Sequence, residues 1–293
     1  MALKVVPRKT PDYFVKQPTS EVLAKLPGAH HIILGPSKSG KSVLWQSMIL
    51  DGYKDCFSRI FIFTPSGLVD DSLKPIKEYI ETTLKHDVKK EGPYIFEDLD
   101  AQKIQSILKK QEKIHDMLKN KIYADKNFHG KKWLPQILIV ISDHADNPRA
   151  VHRAGGILET LFVRSRHFGC SCFCDSQALK LVSPSVRLNL AGLAIFRLRS
   201  MIDLSSILDE YSALGVDKKD LLAMYKIATA EQFSFLYVNL LASDTSQMFF
   251  KRFEARLVPG GSSRQTESGG SSRQTENEKM KNTTLAGPGS AQA

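Results

Sequence analysis

Apolar positions along this chain fall into two periods. Short β-rich runs recur: "HIIL" at His31, "RIFIF" at Arg59, "ILIVI" at Ile137, "CSCFC" at Cys170, "LAIFRL" at Leu193 and "FSFLYVNLL" at Phe233. Helical patterns separate them. Between Asp100 and Lys121, residues Ile104, Ile107, Leu108, Gln111, Ile114 and Leu118 fall on one helical face, with Lys103, Lys109, Lys110, Lys113 and Lys119 elsewhere. That lysine side reads as a solvated face or as a nucleic-acid track. Strands alternating with helices predict an α/β fold, a mostly parallel sheet covered on both faces. "FSFLYVNLL" and "SQMFFKRF" at Ser246, joined through "ASDT", predict a terminal hairpin.

The periodic region spans residues 27–258 and reads as one domain. Residues 1–26 hold three prolines and little periodicity, which predicts an arm lying on the domain or on a neighbour. From Pro259 the composition changes. "GGSSRQTES" is followed at once by "GGSSRQTEN", and such a repeat cannot build a core, so residues 259–293 read as a disordered tail. A flexible tether or an assembly artefact fits the repeat equally well.

With 293 residues and 42% apolar content the chain can bury a sizeable core. Its 41 Lys+Arg against 31 Asp+Glu leave +10, which favours a polyanionic partner. Cys56 stands alone, and Cys170, Cys172 and Cys174 alternate along one run. No C-x-x-C spacing occurs, so neither a zinc site nor a disulfide framework is expected, and the three read as core packing on one strand face. The N-terminus lacks a signal-peptide core and the run "ILIVI" is too short to cross a bilayer. A cytosolic, nuclear or virion-borne protein is expected, neither secreted nor membrane-bound.

Chemistry enters at Gly35-Pro36-Ser37-Lys38-Ser39-Gly40-Lys41-Ser42, which satisfies G-x-x-x-x-G-K-[ST] between a strand and an amphipathic helix. Its glycines let backbone N–H groups surround an anion, and the helix start adds partial positive charge. Lys41 then reaches the β- and γ-phosphates of ATP and Ser42 ligates Mg²⁺; Lys38 has no special role in this pattern.

Hydrolysis also needs an acid at the end of a strand. "ILIVISDHAD" supplies Asp143, and two registers are open: Ser142 at the metal position with Asp143 orienting water, or Asp143 at the metal with His144 at the base position. In "LFVRSRHFGCSCFCDSQ", Gln177 follows a strand and is suited to sense the γ-phosphate. Arg166, just before that strand, is a candidate arginine finger acting on a neighbouring subunit's nucleotide, with Arg164 and Arg153 as competitors.

Four segments together resemble the FtsK–HerA superfamily of P-loop DNA-pumping ATPases, and within it the poxvirus-type packaging ATPases of large DNA viruses and virus-like transposons. They are "ILGPSKSGKS", "LFVRSRHFGCSCFCDSQ", "SPSVRLN" and "FRLRSMIDLSSILDEYSA"; the resemblance covers roughly residues 28–240. It implies an ASCE-type P-loop NTPase with a central sheet of order 5-1-4-3-2, the strands numbered in chain order from "HIIL" to "LAIFRL". It further implies a homo-oligomeric ring, ATP-driven movement of double-stranded DNA, and contact with a capsid portal or vertex during virion assembly in the host cell. It supports the roles given to Lys41, Ser42, Asp143, Gln177 and Arg166, and draws attention to Arg187 and Asn189.

Two positions depart from the family pattern. Ser142 stands where an acid is usual, and Asp175 where a small apolar residue is usual. In the implied sheet these two are lateral neighbours, so either Asp175 partly replaces the missing acid as a tentative Mg²⁺ group, or both changes weaken catalysis. A DNA-packaging translocase is therefore the first reading. A nucleotide-binding assembly subunit with slow or absent hydrolysis is the second; a small-molecule kinase is disfavoured because no lid or substrate arginines can be placed.

Overall fold

The computed structural model describes residues 11–144 and 156–260. Arg153 and residues 261–293, hence nearly all of the expected tail, lie outside them. Nine strands form one sheet: β1 (His31–Leu34), β2 (Arg59–Phe63), β3 (Ile95–Phe96), β4 (Ile137–Ile141), β5 (Cys170–Ser176), β6 (Gly192–Phe196), β7 (Phe235–Asn239), β8 (Phe249–Lys251) and β9 (Ala255–Leu257). Their order is β3-β2-β4-β5-β1-β6-β7-β8-β9. Every pair from β3 to β6 is parallel, and β7, β8 and β9 continue antiparallel.

Read from β6, the five central strands run in the expected sequence, and the sheet departs from 5-1-4-3-2 only by growing at both edges. The short strand β3 caps β2. The expected hairpin is the β7–β8 pair, and β9 adds a third strand to it.

Side-chain alternation divides the core into two layers. Ile32, Leu34, Ile139 and the three alternating cysteines pack on one face, against the helices Ala101–Met117, Met201–Ser212 and Lys218–Ala228. Ile33, Val140, Phe173 and Ala194 pack on the other, against the helix Lys41–Ser47 and its continuation through Met48–Gly52. Cys170, Cys172 and Cys174 are free and buried, and burial pushes the Cys170 thiol up to about 12. Core packing accounts for them; among the described residues no group of three or more His, Cys, Asp or Glu is placed to hold a metal ion.

The long helix follows its sequence pattern with one exception. Asp100 caps it, accepting hydrogen bonds from the backbone N–H groups of Gln102 (2.8 Å) and Lys103 (3.2 Å). Ile104, Ile107, Leu108 and Gln111 are buried as expected, but His115 takes the next inward position and Ile114 stays exposed. Gln111 Nε2 donates to Pro135 O (2.8 Å) and His115 Nε2 lies 2.8 Å from the same carbonyl, so two polar groups hold this end of the helix.

Residues 11–26 run along the second layer. Leu23, Ala24 and Leu26 are buried in it, and Tyr53 Oη donates to Ala24 O at 2.7 Å. Phe14 forms a parallel bridge with Trp133. Among the described residues no helix is long and apolar enough to cross a membrane.

Candidate nucleotide site

The loop Gly35–Gly40 leaves β1 at the C-terminal edge of the sheet and turns into the helix Lys41–Ser47. Two positions require glycine. A Cβ on Gly35 would fall 2.5 Å from Ser39 Oγ and 2.9 Å from Phe196 Cβ, and Gly40 holds φ +100°, in the left-handed region. Lys38 is also left-handed, at φ 66°, so this unassigned lysine helps set the curve of the loop. Lys41 is buried, and its Nζ donates to Pro36 O at 3.2 Å across the loop. The ammonium is thereby held at the loop's centre.

A cavity of about 500 Å³ opens in front of the loop, lined by Ser37, Lys38, Gly40, Lys41, Ser42 and Asp143, among others. Asp143 stands two residues beyond β4 with φ 55°. A left-handed backbone is uncommon for a residue with a Cβ, and aspartate is one of the few that tolerate it. Here that turn brings Asp143 to the same cavity wall as Lys41 and Ser42.

Ser142 and Asp175 are direct neighbours. The β4–β5 register pairs Ile141 with Cys174, so the next positions along the two strands are Ser142 and Asp175. The Ser142 hydroxyl donates to Asp175 Oδ2, and the Asp143 backbone N–H donates to Oδ1 at 3.0 Å. Asp175 has the same strand parity as Phe173, which places it on the layer that receives the phosphate-loop helix. Burial raises its carboxyl to about 6; the Ser142 and Asp143 hydrogen bonds and the Lys41 charge oppose that rise, while the Asp143 charge adds to it.

Gln177 is exposed one residue past β5, and Ser176 pairs with Leu34, so Gln177 stands beside Gly35. Arg166 lies at the other end of the strand, in the turn Ser165–Phe168, with Cβ 2.8 Å from where a Gly28 Cβ would be. The seven residues of β5 separate it from the loop, roughly 20 Å at about 3.3 Å per residue. It therefore cannot serve its own chain's phosphate loop. Arg187, exposed only in part, binds Glu210 at 2.6 Å, and Asn189 Nδ2 donates to Ser185 O at 2.8 Å; both have partners within the chain.

Sequence reasoning missed the far wall of the site. A second cavity of about 370 Å³ lies on the β6 side of the loop and includes Phe196, Arg197, Arg199, Gln232 and Phe233. Phe233, expected to open a strand, instead stands in a turn with φ 60° and 59% exposure, and β7 starts two residues later. Phe233 borders both cavities. A bulky residue held left-handed and exposed is a strained arrangement of the kind found at binding sites, and no glycine or motif in "AEQFS" signals it.

Comparison with solved structures recovers the same architecture. The genome packaging NTPase B204 of Sulfolobus turreted icosahedral virus 2, in complex with AMP, superposes with a TM-score of 0.50 at 15% identity, covering 77% of this chain and 96% of that one. The pCW3 conjugation coupling protein TcpA, bound to ATPγS, gives a TM-score of 0.49 at 15% identity over 83% of this chain and 70% of that one. The B204 likeness establishes the P-loop NTPase fold, the fold that the FtsK–HerA resemblance implies. No protein-family model matches the chain, and no curated protein does.

Proposed function

We propose that this protein is an ATP-driven translocase of double-stranded DNA, working as a ring of subunits to package a viral or virus-like genome into a capsid. The observation that carries the reading is the joining of a complete phosphate loop to an acidic strand end, with Lys41, Ser42 and Asp143 on one cavity wall. The packaging NTPase that shares the fold adds a proposal about the cargo, since that protein is named for genome packaging.

In this reading the loop amides and Lys41 hold the β- and γ-phosphates. The γ end points toward β4 and β5, where Asp143 and Asp175 lie, and the nucleoside extends to the opposite side, into the cavity beside Phe233. Asp143 orients the attacking water and Gln177 reads the γ-phosphate from the end of β5. Ser42 and Asp143 offer hard oxygen donors suited to Mg²⁺, which supplies charge neutralisation for the phosphates when bound. Asp175 serves this group from behind. Each of its oxygens already accepts one hydrogen bond, so it positions Ser142 and the Asp143 backbone and adds negative charge near Lys41.

Arg166, on the edge remote from its own loop, belongs to a neighbouring subunit's nucleotide in the ring. The direct test of movement is ATP-dependent displacement of a third strand from a DNA triplex. Displacement by the wild type and none by Lys41→Ala is expected; equal results for the two would remove translocation from the account. A second reading rests on Ser142. With a hydroxyl where an acid is usual, a nucleotide-binding assembly subunit would bind ATP and leave it uncut.

A further inference from the structure

The edge of the sheet opposite the phosphate loop carries a concentrated charge that the nucleotide chemistry does not use. The segment 118–133 leads from the long helix into β4 and contains Lys119, Lys121, Lys126, Lys131 and Lys132 against the single acid Asp125. None of these five ammonium groups lies within ion-pair distance of a carboxylate among the described residues, whereas Lys16, Lys90, Lys180, Lys218 and Lys251 do find acidic partners. Lys74, Lys219 and Lys226 elsewhere on the surface likewise have no carboxylate within ion-pair distance among the described residues, so what sets this segment apart is density, five lysines against one acid within residues 118–133.

The segment is also built rather than loose. Phe14 N donates to Lys132 O at 2.7 Å and Leu134 N donates to Phe14 O at 3.0 Å, which ties the incoming chain to the turn. The Tyr123 hydroxyl donates to Trp133 O. Lys131 Nζ sits 3.2 Å from the Phe14 ring centroid and Lys119 Nζ 5.8 Å from that of Tyr13, so aromatic faces hold two of the charges in place. Phe14 and Trp133 remain 41% and 43% exposed beside them. A dense run of like-signed charges, two of them seated on aromatic faces and interleaved with exposed rings, fits a phosphate backbone, whose binding is driven by counterion release and does not depend on base sequence.

We infer that the segment Lys119–Trp133, with Phe14, is a nucleic-acid docking surface that holds the DNA phosphate backbone at the sheet edge opposite the nucleotide. This names where the DNA of the proposed function is gripped, but it requires no nucleotide and no hydrolysis. The grip and the phosphate loop then lie at opposite ends of the same strands.

The test is nucleotide-free binding of the full chain to a labelled DNA duplex, and to a single strand of the same length, across a salt series. Lys121→Glu/Lys126→Glu/Lys132→Glu spares the two ring-bound lysines and is compared with Lys74→Glu/Lys219→Glu/Lys226→Glu, which makes the same charge change elsewhere. Melting temperature serves as the check on folding. The docking surface predicts a loss of about tenfold or more in duplex affinity for the first variant alone, and a salt slope smaller by about 2 to 3, since each lost phosphate contact removes about 0.9. Equal losses in both variants would reduce the effect to overall charge and overturn the inference, as would no loss in either; loss of single-strand binding alone would overturn the duplex assignment. DNA binding that follows the first pattern without any DNA effect on ATP turnover would leave this surface standing and reject the translocase.

Discussion

Asp175 sits where two strands converge on the phosphate loop, with Ser142 and the Asp143 backbone on its two oxygens. If the carboxylate acts for the site, its removal acts on turnover and not on ATP affinity, because the loop that holds the phosphates is intact. Asp175→Ala is expected to lower the steady-state rate about tenfold or more with ATP binding unchanged, and Ser142→Asp/Asp175→Ser, which moves the acid across one strand, to recover part of it. An unchanged rate in Asp175→Ala would leave the carboxylate without a catalytic part.

Two histidines set an acid limit on the fold. His30 Nδ1 accepts from Cys172 N–H (3.2 Å), while His31 Nδ1 lies 3.3 Å from Ala29 O and its Nε2 3.1 Å from the Tyr237 hydroxyl. Burial lowers His30 to about 3 and His31 to about 4. Since both folded values lie below the ordinary 6.5, the unfolded chain takes up protons first. Their contribution is fully present above pH 6.5 and is lost progressively as pH falls through about 4 for His31 and about 3 for His30. Melting temperature measured from pH 7.5 down to pH 4.5 should therefore fall below about pH 6.5, and fall less in His31→Gln; a parallel profile for the variant would assign the acid limit elsewhere.

Among the elements, the long helix shows how local chemistry fixes a boundary. Asp100→Ala removes the acceptor for two backbone N–H groups and should cost about 1 kcal/mol in denaturant unfolding, with ATP affinity unaffected. A cost below the error of the measurement would mean that tertiary packing alone sets that end. The strands were legible because their β-rich runs are bounded by turns, and β1, β2 and β4 match the sequence reading residue for residue. The short strand β3 was not, since two residues carry no period. Ile114 misled because an apolar residue on a helix can face water, while His115 turns inward to a carbonyl. In the site, the phosphate loop was plain from its motif, and the Ser142–Asp175 contact followed from strand order. Phe233 was hidden because a strained turn that uses phenylalanine has no compositional mark.

For the whole molecule, the proposed nucleotide chemistry and the inferred DNA grip fall at opposite ends of the same parallel strands. Parallel strands place the phosphate loop, Asp143, Asp175 and Gln177 at the C-terminal edge, and Arg166 with the lysine-rich segment at the other. Arg166 is remote from its own loop, so the finger role proposed for it requires the nucleotide of another copy, as in the proposed ring. The central claim is that ATP is cut at this loop in response to duplex DNA. It is tested most directly by ATP turnover with and without double-stranded DNA, for the wild type beside Lys41→Ala. A DNA-stimulated rate that the substitution abolishes is the predicted result; ATP bound by the wild type with no turnover in either condition would contradict it.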